Sequence, residues 1–559
     1  TSGIYIDGPE PTGQRFRDSY RQQTNIGLTR YIDGFLGASH QLKTGFETWW
    51  TPTGTDGFNI FDDVRLRYTG SAATCNGSVK TGCQPSEVFL YNTPLTQKTK
   101  MNNYAAFVQD RATYNRFTVN LGLRWSYYDG DIPAQGNGGA EWGSACAACN
   151  VSFPEVKPPF SWSTFAPRTG VVWKMTEDGK NVAKASYSRY YEVMYTSEFS
   201  TINGNSIVTG GVATYNWAGG FDANGHPILG TVKNQFVPKA NSIDPNLKDP
   251  KNDEIMFAYQ REVASNISFN VDWIQRWFHD ATVDQDCYGL PCNTVASTAY
   301  APNKVVTDFG PDNIAGTADD QTKTVYNVLP QYVGKDTFFH TNCGNNVSVS
   351  CVQRYKALEI SIAKRMSNHW QMQASYVWSR LDGDQPGIAA GSTTTANVLD
   401  FTNPNNLLSY TQQGRGANDQ PHAFKLLGSY QAPFDITLGA NFQALSGLPI
   451  DRALSVSFAQ GTSNLRMDPR GTYRADFLNL LSLRADKGFR LGGTRRASVI
   501  VELHNVLNTN AGQSNYGSVT RGFADQAAFL AGQLNTSYFG RVQEIVAPRV
   551  LKLGFRFVF

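Results

Sequence analysis

The sequence predicts an all-β protein, a large antiparallel transmembrane β-barrel with long extracellular loops. Three observations predict it. Apolar side chains recur at every second position in segment after segment, short turns alternate with long polar connections, and no apolar run approaches the roughly 20 residues of a membrane helix. With 17% charged residues and a net charge of +3, the chain shows no strong electrostatic attraction to nucleic acid.

The period is clearest in the last ten residues, VLKLGFRFVF (550–559). The odd-numbered positions from 551 to 559 are Leu or Phe, whereas Lys552 and Arg556 occupy the opposite face of an extended strand. In a barrel wall, alternate residues face lipid and lumen, and a Lys or Arg facing lipid at mid-membrane costs about 2–4 kcal/mol. We therefore expect Lys552 and Arg556 to point into the lumen.

The same period recurs along the chain and predicts about fifteen spanning strands. Single-chain bacterial barrels close with an even number of strands. An odd count implies either that strands precede residue 1 or that the count is wrong by one. The predicted strands lie near 17–32, 38–51, 99–113, 117–129, 164–175, 181–193, 251–262, 267–282, 352–365, 370–382, 419–432, 436–446, 478–490, 495–508 and 546–559.

The connections between these strands are alternately short and long. Short turns are predicted after every second strand, and the Asp178-Gly179 pair suits a tight primed hairpin turn. Short turns on one rim and long loops on the other are typical of outer-membrane barrels, in which the long loops are extracellular. The long connections lie near 52–98, 130–163, 193–250, 284–351, 383–418, 447–477 and 509–545.

The eight cysteines all fall in the long connections, as close sequence neighbours, which indicates disulfides and an oxidising compartment. The CAAC segment also fits a redox or zinc half-site, but no second CxxC completes it. The last four cysteines share one loop and can also pair crosswise. The neighbouring pairs are Cys75 with Cys83, Cys146 with Cys149, Cys287 with Cys292, and Cys343 with Cys351.

One loop, DFGPDNIAGTADDQ (308–321), is rich in carboxylates. Asp308, Asp312, Asp319 and Asp320, interspersed with glycines, suit a hard cation such as Ca²⁺. The alternative is an acidic solvated turn. The predicted role of calcium is to order this long loop, and no other cofactor is required.

Polar residues of the strands predict a mixed, charged lumen wall. No catalytic site is predicted, because Glu502 with His504 and Asp419 with His422 lack a positioned nucleophile. The loop aromatics Trp142, Trp162 and Trp217 suit either ligand stacking or, more simply, loop packing. The predicted lumen wall consists of Arg124, Lys356, Glu359, Glu502, Lys552 and Arg556.

Several segments resemble the TonB-dependent outer-membrane transporters, specifically their Oar-like branch. They occur in the family's order along nearly the whole chain. The segments are FLGASHQLKTGFE (35–47), the pair of strands that includes FVQD (90–125), FAPRTGVVW (165–173), NDQPHAFKLLGSYQAPF (418–434), VELHNVLN (501–508) and the terminal aromatic residue.

This resemblance implies that residues 1–559 are the C-terminal part of a 22-strand barrel domain in a Gram-negative outer membrane. The N-terminal plug, the TonB box and about seven strands would precede this chain. The implied partners are outer-membrane lipid, the TonB complex through the N-terminal region, the barrel-assembly machinery through Phe559, and an unknown extracellular ligand. The protein would be a gated carrier and not an enzyme. The alternatives are a passive or export-linked pore and a surface adhesin.

Overall fold

The computed structural model describes most of the chain. The described residues are 2–7, 14–59, 63–71, 84–136, 142, 146, 149, 151–205, 212–235, 241–288, 290, 296–335, 337–343, 353–383, 404–405, 414–512, 519–520, 522–533 and 538–559. Cys75, Cys83, Cys292 and Cys351 lie outside them.

The described residues form a mostly β structure. Its first half contains the strands β1 (Ser2–Asp7), β2 (Gln14–Asp18), β3 (Gln22–Phe35), β4 (Ala38–Asn59), β5 (Val64–Ser71), β6 (Gln84–Leu90), β7 (Leu95–Tyr114), β8 (Phe117–Asp131), β9 (Gln135–Gly136), β10 (Ser152–Phe153), β11 (Trp162–Lys174), β12 (Asn181–Tyr191), β13 (Ala213–Phe221), β14 (Pro227–Gln235), β15 (Ser242–Ile243) and β16 (Lys251–Ala264).

The second half continues the same pattern. Its strands are β17 (Ile267–His279), β18 (Thr282–Asp286), β19 (Tyr300–Asp308), β20 (Gln321–Val328), β21 (Phe338–Asn342), β22 (Gln353–Ser367), β23 (Trp370–Asp382), β24 (His422–Ala432), β25 (Ile436–Leu445), β26 (Pro449–Ile450), β27 (Ala453–Phe458), β28 (Gly461–Arg466), β29 (Tyr473–Arg474), β30 (Leu478–Arg490), β31 (Arg496–His504), β32 (Val519–Thr520) and β33 (Val550–Val558).

Helical structure is sparse in the part of the chain that the structure describes. The helices are α1 (Ser197–Ser200) and α2 (Gln526–Gln533), and two short 3₁₀ helices lie at Ala296–Ala299 and Pro330–Tyr332. None of the described helices has the length and apolar character that crossing a bilayer would demand.

One antiparallel sheet dominates the fold, and we call it the wall. Its order is β2/β3-β4-β7-β8-β11-β12-β16-β17-β22-β23-β24-β25-β30-β31-β33. β2 and β3 lie end to end along the same edge of β4, so sixteen strands occupy fifteen positions. The predicted fold class and strand count are confirmed. Among the described residues, β33 pairs with β31 alone, so it forms one edge of the wall.

The ladder registers assign every wall residue to one of two faces, since directly opposite residues point the same way. Leu553 lies opposite Val501, and Phe555 lies opposite Val499. Leu553 and Phe555 are each 71% exposed, as lipid-facing side chains must be in a protein without lipid around it. Because Lys552 alternates with Leu553, it faces the other side. We call these sides the outer face and the lumen face.

Two of the short turns meet the backbone requirement of a tight hairpin without glycine. Asn368 and His369 both take positive φ, as do Phe434 and Asp435, which is the pattern of a type I′ hairpin turn. The predicted primed turn at Asp178-Gly179 is wrong. There the loop runs from 175 to 180, and the Gly179 N–H donates to Thr176 O at 3.1 Å, so Gly179 alone needs the positive φ of 66°.

The long connections all leave the same rim of the wall, and we call them the loop crown. The sequence predicted long polar connections, and several of their described parts form small sheets of their own. One sheet joins β5, β6, β13 and β14 of the crown with β1, which precedes the wall in sequence. Others join β15 with β21 and β18, and β27 with β28 and β32. Because these strands come from different connections, the loop crown is a set of mutually bound loops. Its segments are 60–94, 132–161, 192–250, 280–352, 383–421, 446–477 and 505–549.

Candidate functional site: lumen wall and loop crown

The lumen face near the wall's edge carries an ion-paired ladder centred on Glu502. Its carboxylate accepts from Arg484 Nη1 at 2.8 Å and lies 3.4 Å from Lys552 Nζ. One step along, Asp486 lies 3.3 Å from Arg484 and 3.8 Å from Arg556. The register places Glu502 directly opposite Lys552. Because side chains alternate between the two faces of a strand, Leu551 and Leu553 face lipid and these charged side chains face the lumen.

A second polar region lies on the lumen face of β8, β11 and β12. Arg124 pairs with Glu47 on β4 at 3.1 Å. Beside it, Arg168 stacks on Tyr190 at 4.8 Å, and among the described residues no carboxylate pairs with it. Gly122 lies in the floor of a hollow of about 490 Å³ between these two arginines. This part of the wall can therefore receive anionic or polar groups from whatever fills the lumen.

Lys356 and Glu359 were both predicted to face the lumen, and for Lys356 this is wrong. The two residues are three positions apart in an uninterrupted ladder, so they point to opposite faces. Glu359 lies opposite Asp272 on the lumen face, whereas Lys356 belongs to the row that contains Leu358 and lies opposite Gln275. Lys356 is therefore an outer-face cation at the rim that carries the long loops.

The base of the loop crown is an apolar cluster that closes against the lumen face of the wall. Its wall residues come from β4, β7, β8 and β11, and its loop residues from the 132–161 and 192–250 connections. The Trp162 Nε1–H donates to Leu247 O at 3.0 Å, which ties the wall to the loop. The cluster comprises Trp49, Met101, Tyr128, Ile132, Phe160, Trp162, Met194, Phe199, Ile243 and Leu247.

Asp249 follows Leu247 of this cluster after one intervening residue, and it is 4% exposed. Neither of its carboxylate oxygens has a hydrogen-bond partner of ordinary geometry. Burial raises the pKa of Asp249 to about 8, and the nearby carboxylate of Glu192 adds to the effect. Burial likewise raises the pKa of Glu192. The crown base therefore holds two carboxyl groups whose pKa values are raised by burial.

His340 on β21 links three parts of the crown. Its Nδ1 lies 2.7 Å from Asp284 Oδ1 on β18, and its Nε2 lies 3.1 Å from Glu198 Oε2 in α1. Burial opposes the charged imidazolium, but the two carboxylates outweigh it and raise the pKa of His340 to about 9. His340 is thus a buried cation held between two anions.

The four predicted calcium ligands do not act as one group. Asp308 is buried and paired with the buried Arg452, which also pairs with Asp468. The other three surround one hydroxyl: Thr317 Oγ1 lies 2.8 Å from Asp319 Oδ1 and 3.4 Å from Asp312 and Asp320. Within the described ranges, no three His, Cys, Asp or Glu side chains are arranged to hold a metal ion. Calcium binding stays a prediction.

The four described cysteines are all disulfide-bonded, and one of the predicted pairs is confirmed. Cys146 and Cys149 are bonded, with Cα atoms 5.3 Å apart, and both are buried under the sheet of β6 and β13. Cys287 and Cys343 are also disulfide-bonded. Their partner assignment, and the pairing of Cys75 with Cys83, stay predictions because Cys75, Cys83, Cys292 and Cys351 lie outside the described ranges.

The loop tryptophans pack as the simpler reading expected. Trp142 is buried beside the Cys146–Cys149 bond, with its ring 4.9 Å from that of His226. Trp162 belongs to the crown base, and Trp217 donates to Gly220 O at 3.1 Å. Trp142 and Trp162 are therefore buried, whereas Trp217 is partly exposed.

The two histidine pairs considered for catalysis have structural partners. Asp419 is buried and accepts from the Leu381 N–H at 2.7 Å and from Arg474 Nη2 at 2.5 Å. His422 lies on the outer face, with Nδ1 2.8 Å from the Tyr376 hydroxyl. Asp419 and His422 are therefore engaged separately, and no nucleophile is placed between them.

Sequence reasoning missed the crown's central groups. His340 contacts Glu198 across 142 positions of sequence and Arg452 contacts Asp308 across 144, and no periodicity marks such contacts. The pKa of Asp249 likewise depends on Glu192 in a distant segment. The only available signal was their occurrence as charged residues in otherwise apolar or Gly/Asn-rich segments, which is weak.

Comparisons with known proteins agree with this architecture. The family described as "Outer membrane beta barrel domain" matches residues 12–448. The TonB-dependent transporter Oar of Myxococcus xanthus is 21% identical over 457 residues, which cover 74% of this chain and 36% of that protein. The chain thus spans about a third of the length of that curated relative.

Solved structures are similar at the level of the fold. The outer membrane transporter YddB from Escherichia coli aligns with a TM-score of 0.53 and 12% identity, over 97% of this chain and 54% of its own. The siderophore receptor PiuA from Acinetobacter baumannii aligns with a TM-score of 0.48 and 10% identity, over 97% and 56%. These similar proteins are transporters and receptors, not enzymes. The chain belongs to the family of outer membrane β-barrel domains, and its location is the bacterial outer membrane.

Proposed function

We propose that this chain forms the translocating wall and the ligand-capturing loops of a TonB-dependent transporter. The observation that supports it most is that the lumen face and the loop-bearing rim of the wall carry different features. The lumen face carries ion-paired charges that suit a removable polar filling, and one rim carries a folded crown built from most of the long connections. A simple pore needs an open lumen, whereas here the crown base packs against the lumen face.

The energy-coupling step belongs to the N-terminal region that the family resemblance implies. In this proposal a plug fills the lumen and meets the wall at polar groups such as Arg168 and Glu502. Ligand bound by the crown is released inward when TonB acts on the plug. The exposed terminal Phe559 would serve the barrel-assembly machinery.

Uptake by whole cells tests the proposal. Cells carrying the full-length protein should accumulate ligand only while the proton-motive force is intact, and uptake should stop after its collapse or after deletion of TonB. Growth dependence on candidate nutrients identifies the ligand.

The alternative, a passive or export-linked pore, predicts a different result. Liposomes containing the purified full-length protein would then swell in a small-sugar solution without TonB. An adhesin would show neither swelling nor uptake. Either outcome would replace the transporter proposal.

We also propose a structural calcium ion at the turn around Thr317. The support is the convergence of the Asp312, Asp319 and Asp320 carboxylates on one hydroxyl. Calcium should raise the protease resistance of the 300–328 segment, and the double change Asp319→Asn and Asp320→Asn should remove that effect. Protection that is equal in EGTA would contradict it.

A further inference from the structure

The outer-face position of Lys356 raises the question of what such a cation contacts in a membrane. Lys356 lies directly opposite Arg380 on β23, and Arg354 is two residues away on the same face of β22. All three side chains are exposed. Opposite Cβ atoms in an antiparallel ladder are about 5 Å apart, and residues i and i+2 are about 7 Å apart. The three cations therefore form a compact outer patch.

The patch has an excess of positive charge that the protein does not neutralise. Arg380 Nε lies 2.5 Å from Asp382 Oδ2, and Arg415 Nη1 lies 2.7 Å from the other oxygen of the same carboxylate. Arg354 and Lys356 have no ion-pair or hydrogen-bond partner among the described residues. Arg415 also lies 4.0 Å from Asp419, a carboxylate that is paired with Arg474. Arg354 and Lys356 therefore remain the two unpaired cations of the patch.

The patch also has a defined depth. On the same face of β22, the residues that follow Lys356 at every second position are Leu358, Ile360 and Ile362. Leu358 lies opposite Trp378, which is 54% exposed, and opposite Trp273. Tryptophans between an apolar stripe and polar residues mark the membrane–water interface. The three cations therefore sit at headgroup height, at the rim that carries the long extracellular loops.

We infer that Arg354, Lys356 and Arg380 bind the phosphate groups of an anionic lipid in the outer leaflet. A phosphate accepts several charge-assisted hydrogen bonds, and Arg and Lys are its usual protein partners. The source is a lipid and not free phosphate, because the patch continues directly into the apolar stripe of Leu358, Ile360 and Ile362. Acyl chains lying on that stripe place their headgroup at the patch.

Lipid binding at this patch does not depend on transport, since the patch lies on the outer face of the wall. A lipid bound by these residues would help to fix the depth and the orientation of the protein in the membrane.

Native mass spectrometry of the detergent-solubilised full-length protein tests the inference. The probe is lipid A carrying two phosphates, and the comparison lipids are the same molecule after enzymatic dephosphorylation and zwitterionic phosphatidylcholine. We expect retention of the phosphorylated lipid only. The combined change Arg354→Gln, Lys356→Gln and Arg380→Gln should weaken its binding by about a hundredfold, given the contribution of each cation near an anionic surface.

A matched control is Arg261→Gln. Arg261 is also an exposed outer-face cation, but it lies near the short-turn rim, opposite Phe269. This variant should retain the lipid like the unchanged protein. Equal loss in the Arg261 variant, or unchanged binding in the triple variant, would overturn the inference.

Two further measurements are needed. One distinguishes lipid binding from the binding of free phosphate, and the other distinguishes a loss of binding from a loss of folding. Millimolar inorganic phosphate should leave the bound lipid in place, and displacement would show a general anion site in place of a lipid site. Each variant is also checked for the heat-dependent gel migration of a folded barrel. Loss of that migration in the triple variant would call for the single change Lys356→Gln, which should still weaken binding several-fold.

Discussion

Two buried titratable side chains in the loop crown, Asp249 and His340, differ in the sign of their pH dependence. Asp249 has a raised pKa of about 8 in the folded protein against an ordinary value of 3.8. Folding therefore favours its protonated form, and its contribution to stability falls as pH rises from about 4 to about 8. Each unit of difference corresponds to about 1.4 kcal/mol.

The change Asp249→Asn should remove this loss, because the amide matches the shape of the protonated acid without a charge. We expect the crown of the variant to be more stable than the unchanged crown at pH 8 by more than 1 kcal/mol, and little different at pH 4. The measurement is the midpoint of denaturant unfolding followed by near-UV circular dichroism at both pH values. Equal gains at pH 4 and pH 8 would contradict the assignment. Glu192, Glu198 and Asp280 face the same region and are left unchanged.

His340 should show the opposite trend. Its folded pKa of about 9 exceeds the ordinary value of 6.5, so its stabilising contribution is complete below about pH 6.5 and is lost as pH rises through about 9. The crown of the unchanged protein should become more sensitive to protease between pH 6.5 and pH 9.5. In His340→Gln this pH step should be absent, and the crown should already be sensitive at pH 6.

A graded control for His340 is Glu198→Gln. It removes one of the two carboxylates and leaves Asp284 in contact at 2.7 Å. Its pH step should move to lower pH than in the unchanged protein but should not disappear. Identical steps in all three proteins would show that another group is responsible.

At the level of single residues, the sequence was informative only where a strand sets the geometry. The lumen-facing positions of Glu502 and Lys552 follow from the alternation of side chains along a strand. The same alternation would have separated Lys356 from Glu359, since their spacing is odd, but their shared polarity suggested a shared face. For Asp249 and His340 no such rule exists, because their environment comes from loops distant in sequence.

The stability of each wall strand depends on which of its side chains face lipid and which face the lumen. β33 allows the most direct test of this assignment. Leu553 and Gly554 are adjacent and at the same depth, but Leu553 is on the outer face and Gly554 on the lumen face. Replacing Leu553 by Arg places a charge against lipid and should cost about 2–4 kcal/mol. Replacing Gly554 by Arg should cost much less, because a Cβ there meets only ordinary contacts, such as Ile500 Cβ at 3.5 Å.

Urea unfolding of the full-length protein in phospholipid vesicles compares the two β33 variants. The expected difference between Leu553→Arg and Gly554→Arg is at least about 2 kcal/mol in the free energy of unfolding. Similar losses would mean that β33 is not exposed to lipid on one side and to a polar lumen on the other, and the assignment of faces would fail.

At the level of elements, strands were predicted well and turns less well. All fifteen wall positions agree with the period-2 segments, because an alternating pattern specifies both the strand and its buried or lipid-facing side. The ends were less exact: β4 continues to Asn59 and β7 begins at Leu95, beyond the predicted limits. Their added residues are polar and Gly- or Thr-rich, so hydrophobic periodicity could not extend the strands into them.

On the scale of the whole molecule, wall and crown obey different rules. The wall must satisfy every main-chain hydrogen bond within a closed sheet in order to cross a bilayer. The crown stands in water and depends on contacts between loops, such as Arg452 with Asp308 across 144 positions. The sequence predicted that long loops lie on one rim. It could not predict their joint fold, because those contacts follow no period.

Because of this difference, we expect a reducing agent to destabilise the crown without destabilising the wall. The described cysteines Cys146, Cys149, Cys287 and Cys343 lie in the crown and are disulfide-bonded. Closing even a short loop by a disulfide stabilises it by about 2 kcal/mol. Dithiothreitol applied to intact cells should therefore expose new protease sites in the 132–161 and 280–352 segments. The heat-dependent gel migration of the wall should not change, since its strands are held by continuous ladders.

The double change Cys146→Ala and Cys149→Ala localises that effect. Without reductant it should open the 132–161 segment alone, where the bond packs against Trp142 and Val88, and should leave the 280–352 segment resistant. If reductant also abolished the heat-dependent migration, the crown would be required to hold the wall together. Wall and crown would then be one cooperative unit, because the apolar cluster at the crown base would transmit the loss to β4, β7 and β8.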